Sequence, residues 1–544
     1  RAWGEKCAER LEGDFAFILH DAEAGRVVCA RSFSGKRPLY YAEPSGSLVV
    51  ASALSAVLAH PWCPTALNMV SIAECAAGLS PTTSETSYEA VRRVPAGSSL
   101  VWAVGSAPRL PRHWEPPPFV EAAAASFEEA AQELREIIRL AVTERLDTSG
   151  PTSVWLSGGW DSPAVFASGE NELKRRGRGE HLRPVSISYP VGDSGREDEL
   201  ILDIVQHWGA PVHWLDIGNI PLFQDTVRTA ASREEPFAHA FEFWNRALVA
   251  GSRAEGARVA FDGVGADQIF QVSPVYIADL VRGGRWIHAA REWRARGMSG
   301  SGFRRFFRMT IQPLLPSAAL ALASAVRGRP LVSYFDRHLP PWIRTDFARR
   351  YQLAERHRAR VDRFAGGSQA AYEAHWFLTE PFFPEVFRMV AGFALEDGLE
   401  LRSPLYDNRV IGFAATRPRD ERAKGGETKR LLRAAMRGLI PANVLAPRPY
   451  HTGTTGEYFW RSMRESFPPL LEAALDNSVL VDAGIVDGEV LRRVAGPALQ
   501  GSQNVALNLF YTVQTELWLR ELIRSEKAVE SEHPPQAATA TARC

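Results

Sequence analysis

Along the first hundred residues apolar and polar positions alternate in short runs between glycine turns: Phe15–Asp21, Arg26–Arg31, Leu39–Tyr41 and Leu48–Ala51. Period-two alternation sets one side of an extended chain against a core, so these runs predict the strands of a β-rich module. Pro108, Pro111 and the Pro116–Pro118 run, followed by small alanines up to residue 125, predict a linker into a second domain. From Phe127 to Leu146 the period becomes helical, with acidic residues early and Arg135, Arg139 and Arg145 later, as the helix dipole favours. Strand-like segments at 152–156, 183–189, 211–215 and 257–261 then alternate with helical ones. That order predicts an α/β fold with a parallel doubly wound sheet, whose ligands sit beyond the carboxyl ends of its strands. Residues from about 270 to 525 read as mostly helical, and Ser525–Cys544, with its Pro-Pro and Ala-Thr pattern, as a disordered tail. No internal repeat is visible. The expected divisions are 1–118, 119–527 and 528–544.

Composition changes the picture mainly by exclusion. A chain of 544 residues is too long for one ordinary core, and 45% hydrophobic with 23% charged residues is globular composition. The 63 Lys plus Arg balance 63 Asp plus Glu, so no global basic field points to nucleic acid. Cys7, Cys29, Cys63, Cys75 and Cys544 are scattered without a C-x-x-C pair. They read as thiols of a reduced, cytoplasmic protein without a zinc site or disulfide framework, and Cys7 as a small buried residue. The longest apolar run, Thr310–Val326, is broken by Gln312, Pro313 and Pro316. It predicts a buried helix and no integral membrane segment, despite the neighbouring Arg304, Arg305 and Arg308. No signal-peptide pattern opens the chain, and Arg1 in place of Met predicts a truncated front domain.

Chemistry concentrates at two strand ends. Ser153–Leu156 runs into Ser157, Gly158 and Gly159, and then Asp161, Ser162 and Pro163 open a helix. Unpaired amides at such a turn, with a helix N-terminus behind them, form an anion site. The loop is neither G-x-x-x-x-G-K-[ST] nor G-x-G-x-x-G. It offers glycine amides and an acid, and an acid beside phosphate requires a divalent cation between them, so Asp161 implies Mg²⁺. A plain turn with an Asp cap is the alternative. The second strand end, Val259–Phe270, again breaks at glycines and supplies Asp262, Gly263 and Asp267. Two acid-bearing glycine turns in one sheet favour a nucleotide-phosphate site.

Ser157-Gly-Gly-Trp-Asp-Ser162 resembles the SGGxDS loop of the N-type ATP pyrophosphatases, and its context resembles their asparagine synthetase group. Leu11–Phe17 and Gly35–Tyr41 are similar to that group's glutaminase-type front domain, here degenerate. Gly398–Asp407 is similar to its G-V-E-x-R-x-P-F-L-D segment, and Glu427–Arg433 with Leu439–Pro441 to its K-x-x-L-R and L-P segments. The resemblance implies ATP-dependent formation of an acyl-adenylate with loss of pyrophosphate, then attack by an amine. It implies Mg²⁺ at Asp161 and Asp267, and Lys429 on the phosphates; these three are the expected catalytic residues. Leu156, Ser157, Gly158, Gly159, Asp161, Ser162, Ile187, Asp262, Gly263 and Lys429 are the expected ATP-binding residues, Ile187 beside adenine. Glu400 and Asp407 read as structural.

Departures from the pattern narrow the substrate. Three residues before Asp267, where asparagine synthetases have a glutamate and β-lactam synthetases a tyrosine, stands Val264; Tyr450 replaces a lysine. An N-terminal cysteine for ammonia release does not open the chain. Leu339–Arg344, Gly425–Arg430 and Thr452–Phe459 resemble the macrolactam synthetases that close lasso peptides. That likeness implies a leaderless core peptide as substrate, with a leader peptidase and a leader-recognition protein as partners. The Arg- and Trp-rich stretch 280–350 suits a peptide pocket or an ordinary helical face. The rival expectations are an asparagine synthetase-like amidotransferase and a catalytically silent ATP-binding scaffold.

Overall fold

The structure, a computed structural model, describes residues 3–79, 83–120, 125–177, 179–236, 239, 241–298, 302–327, 331, 338–360, 367–448, 456–499 and 507–532. The front domain carries two antiparallel sheets of three strands. One orders β1 (Ala16–Asp21), β2 (Arg26–Arg31) and β6 (Ser99–Ala103); the other orders β4 (Val49–Ala51), β3 (Tyr40–Ala42) and β5 (Arg92–Arg93). The alternating runs become β1 to β4, and Cys29, Leu39, Tyr41, Val94 and Leu100 fill a small core beneath them. Strand β5 has no apolar alternation to betray it. Its Arg93 is buried and pairs with Glu235 at 2.5 Å and Glu385 at 3.3 Å, from outside the front domain.

The second domain centres on a parallel sheet ordered β11–β10–β7–β8–β9. Its strands are β7 (Thr152–Trp155), β8 (Arg183–Ser188), β9 (His213–Asp216), β10 (Val259–Phe261) and β11 (Glu400–Arg402). The four expected strands are present with slightly shifted ends, β9 running one residue beyond its expected end. The fifth, β11, escapes a pattern search because Leu401 is its one apolar residue, flanked by Glu400 and Arg402. Between β7 and β10 the strand order reverses, which opens the crevice where such sheets bind ligands. The helix Phe127–Thr143 starts with a Ser126–Glu129 capping box and buries Leu134, Ile138 and Val142 against this sheet's main core.

Two expectations need correction. The run Thr310–Val326 is not one buried helix. Pro313 and Pro316 split it into a π turn (Phe307–Ile311), a 3₁₀ turn and the helix Ser317–Arg327, which exposes Leu322 and Val326. At the other end, the helix Leu507–Glu532 continues past Ser525 and past residue 528, because Leu509, Phe510, Val513, Leu517 and Trp518 anchor it in the helical core. The rest of the tail, from 533, lies outside the described residues. Among the described residues no helix is long and apolar enough to cross a membrane.

Candidate active site

Strands β7 and β10 lie side by side in parallel register, Val154 opposite Phe261, so both glycine turns leave the same edge of the sheet. Leu156 is buried at the end of β7, its N–H donating to the Val185 carbonyl at 3.0 Å. In the first turn, Ser157 N–H donates to Ser162 Oγ at 2.9 Å, and the two hydroxyls lie 3.0 Å apart. Gly158 N–H donates to Glu197 Oε2 at 2.9 Å, and Gly159 N–H to Ser157 Oγ at 3.3 Å. The expectation of unpaired amides therefore fails at 157–159: hydroxyls and a carboxylate cap them, and an entering phosphate must displace these acceptors. Glu197 was invisible in the sequence because it precedes a different helix, 39 residues away.

Asp161 opens the helix Asp161–Arg175, where the dipole favours its charge. Its Oδ2 accepts from Lys429 Nζ at 2.5 Å, and the same Nζ lies 2.6 Å from Asp267 Oδ1. Asp161, Asp267 and Lys429, far apart in the chain and grouped by the resemblance, thus meet. Burial lifts the Asp161 carboxyl to about 6; Lys429 opposes that rise and Asp267 adds to it. Burial disfavours the Lys429 ammonium, but the two carboxylates outweigh it and leave its pKa above the ordinary value. Lys429 sits at φ 51°, left-handed for a non-glycine residue, just before the helix Arg430–Ala435. Such a conformation costs about 1–3 kcal/mol and persists where the surroundings impose it.

A divalent cation fits this cluster. Asp161 Oδ1 is buried and has no hydrogen-bond partner among the described residues, while Asp267 is more than half exposed at the mouth. Among the described residues no group of three or more His, Cys, Asp or Glu could hold a metal unaided. An ion here takes two carboxylates and completes its shell with phosphate oxygens and water, the usual pattern for Mg²⁺.

The second turn differs from expectation in one member. Asp262 is buried and turns toward the front domain: it accepts from Val264 N–H at 3.1 Å and Ser403 Oγ at 2.5 Å. Gly263 instead presses on the first turn. A Cβ there would lie 2.6 Å from the Ser162 nitrogen and 2.9 Å from Asp161 Cβ. Val264 packs half-buried on the main core. Ile187 is half-buried in β8 opposite Leu215, packed on the helical core.

Trp160, in the middle of the first motif, donates its Nε1–H to the Val444 carbonyl at 2.9 Å. Its ring is flanked by the guanidiniums of Arg433 at 5.1 Å and Arg448 at 5.5 Å, and Arg448 also donates to the Gly158 carbonyl. These two arginines bring further positive charge to the phosphate loop; Arg433 closes the K-x-x-L-R segment, but nothing in the sequence pointed to Trp160 as the ring that either would meet. Tyr450 and residues 449–455 lie outside the described residues. Glu400 pairs with Arg37 at 2.8 Å and Arg402 at 3.0 Å, and Asp407 caps the helix Asn408–Ala415 while pairing with Arg145 at 2.8 Å. Cys7 is half-buried rather than buried, because its short 3₁₀ helix Gly4–Arg10 lies at the surface. Within 280–350, Trp286 and Ile287 point outward; beside them a cavity of about 760 Å³ is lined by Phe119, Tyr276, Asp279, Arg285 and Arg419.

The family model described as asparagine synthase matches residues 133–520, and one for a glutamine amidotransferase domain matches residues 1–114. Asparagine synthetase [glutamine-hydrolyzing] 3 of Bacillus subtilis is 23% identical over 504 residues, covering 88% of this chain and 74% of its own length. Amidase chyE of Penicillium rubens is 29% identical over 299 residues, covering 51% of this chain and 42% of its own length. The putative asparagine synthetase of Mycobacterium tuberculosis is 22% identical over 478 residues, covering 81% of this chain and 67% of its own length. With the family model spanning most of its length, and with an acid-bearing glycine turn at each of two neighbouring strand ends, this chain belongs to the asparagine synthase family.

Proposed function

We propose that this protein is an ATP-dependent, AMP-forming carbon–nitrogen ligase that closes a macrolactam in a peptide. The observation that carries the reading is the clasp of Asp161 and Asp267 on Lys429 at the switch point of the sheet. A peptide Asp or Glu side-chain carboxylate attacks the α-phosphate of ATP, forming an acyl-adenylate and releasing pyrophosphate. The peptide's N-terminal amine then attacks the acyl carbon, AMP departs, and one water is lost overall from the peptide.

Lys429 places a fixed positive charge where the α- and β-phosphates gather negative charge. Arg433 and Arg448 hold Trp160 and with it the backbone of the first turn. Asp161 and Asp267 would hold Mg²⁺, which would supply charge neutralisation for a pyrophosphate leaving group. Val264, in the second turn, is apolar and can neither orient nor deprotonate an amine; this supports a substrate whose own tether holds its amine in place. Holding amine and acyl carbon in one bound chain supplies rate, since well-oriented intramolecular reactions reach effective molarities of about 10⁵ M or more. A leader peptidase and a leader-recognition protein are the partners this substrate requires.

Pyrophosphate release with Mg²⁺·ATP tests the reading, comparing free aspartate plus ammonia with a leaderless acidic peptide. Release with loss of one water from the peptide is the expected result. Release with aspartate and not with the peptide favours the rival, an asparagine synthetase-like enzyme, the activity in the Bacillus relative's name. Nucleotide binding without release from either leaves a scaffold.

A further inference from the structure

Asp262 is a buried carboxylate in the second glycine turn that the proposed chemistry does not use, and its partners lead out of the domain. Ser403, just after β11, donates to Asp262 Oδ1 at 2.5 Å and accepts from Lys36 Nζ at 2.5 Å. Lys36 belongs to the front domain, 367 residues away in sequence, and is 3% exposed. Behind it, Asp14 Oδ2 lies 3.8 Å from Nζ, and Ser34 donates to Asp14 Oδ1 at 2.5 Å. The ammonium is thus set between two acids, one in each domain. Burial raises the Asp262 pKa, and Lys36, the Ser403 hydroxyl and the Val264 amide oppose that rise. Onward from Asp262, the Val264 N–H bond fixes the turn, and Gly263 lies against the Asp161 and Ser162 backbone with no room for a methyl group.

We propose that Lys36 and Ser403 are positioning residues for the nucleotide site, through which the front domain sets the Asp161 carboxylate that receives the metal ion. This rests on reading Asp161 and Asp267 as the Mg²⁺·ATP site. It gives the front domain a role that needs no glutaminase chemistry: its buried lysine neutralises Asp262 and so locks the second turn against the first. Partners that touch a metal ligand directly orient it, and their loss typically costs about 10–100-fold in metal affinity; Lys36 and Ser403 act through the second turn, which sets the expected loss at the low end of that range.

The test measures binding of α,β-methylene-ATP, which cannot be cleaved between its α- and β-phosphorus, by calorimetry with Mg²⁺ and again with chelator. Lys36→Met and Ser403→Ala should each weaken Mg²⁺-dependent binding about tenfold and leave metal-free binding unchanged. The double variant should lose no more than either single one, since both act through one chain of contacts. Ser403→Thr, which keeps the hydroxyl, should restore binding. Arg37→Met serves as the control, since it breaks a different contact of the same seam, the Arg37–Glu400 pair. It should bind as the unaltered protein does. Ser403→Ala binding normally, or Arg37→Met losing as much as Lys36→Met, overturns the proposal. Ser403→Ala carries the test if Lys36→Met fails to fold. Failure of the unaltered protein to bind nucleotide overturns the functional reading itself, and is seen before any variant is compared.

Discussion

The first glycine turn is closed from within its own domain: Ser162, Ser157 and Glu197 satisfy its amides, and Asp161 faces Lys429. The second turn has its acids divided. Asp267 stands at the mouth against Lys429, while Asp262, five residues earlier, is buried against Ser403 and the front-domain Lys36. Two loops of similar composition at adjacent strand ends therefore do different work. A carboxylate's role follows from which cation reaches it, and the sequence of the turn alone does not fix that.

The largest effect expected from breaking this division is at the shared cation. Lys429→Met should lower AMP formation by about 10²–10³-fold, the usual loss when one preorganised transition-state charge is removed. Single-turnover pyrophosphate release measures it, and a loss confined to KM would mean that the lysine only binds ground-state nucleotide. Next come the glycines. Gly263→Ala forces a methyl group to within 2.6 Å of the Ser162 nitrogen and 2.9 Å of Asp161 Cβ, whereas Gly159→Ala meets only Ser157 Oγ at 3.3 Å. Overpacking against backbone costs about 1–3 kcal/mol, so Gly263→Ala should lower the melting temperature clearly more than Gly159→Ala. Equal melting temperatures would mean that the turns are not pressed together.

A smaller, pH-borne effect comes from a buried carboxyl away from both turns. Burial pushes Glu373 up to about 7, against the Ser273 N–H that donates to both its oxygens and the more distant Arg422 and Arg296. A carboxyl raised on folding favours the folded state when protonated. Its contribution is full below its ordinary pKa of 4.5 and is lost as pH rises through about 7. Relative to Glu373→Gln, the unaltered protein should therefore lose melting temperature between those pH values; parallel curves would refute the assignment.

Much of the core of this site was legible. An apolar strand running into Ser-Gly-Gly and an acid placed Asp161, and a repeat of that signature offered Asp262 and Asp267, between which only the resemblance chose Asp267. Lys429 came only from a resemblance, since a lysine before a helix has no signature of its own, and its left-handed φ is a tertiary fact. The illegible parts were contacts made from elsewhere in the chain: Glu197 on the Gly158 amide, Arg433 and Arg448 on Trp160, and Lys36 behind Asp262, since a segment that contains a cation does not say which group it will meet. Strand β11 was hidden for a related reason, because a short edge strand of Glu-Leu-Arg carries no periodicity.

The central claim, that a peptide carboxylate is activated as its adenylate before the ring closes, is tested most directly by isotope transfer. A leaderless acidic peptide carrying ¹⁸O in its side-chain carboxyl is incubated with Mg²⁺·ATP and the nucleotide products are weighed by mass spectrometry. The account predicts one ¹⁸O in AMP for each ring closed. Label in inorganic phosphate with ADP as the product, or AMP free of label beside a closed ring, would contradict it.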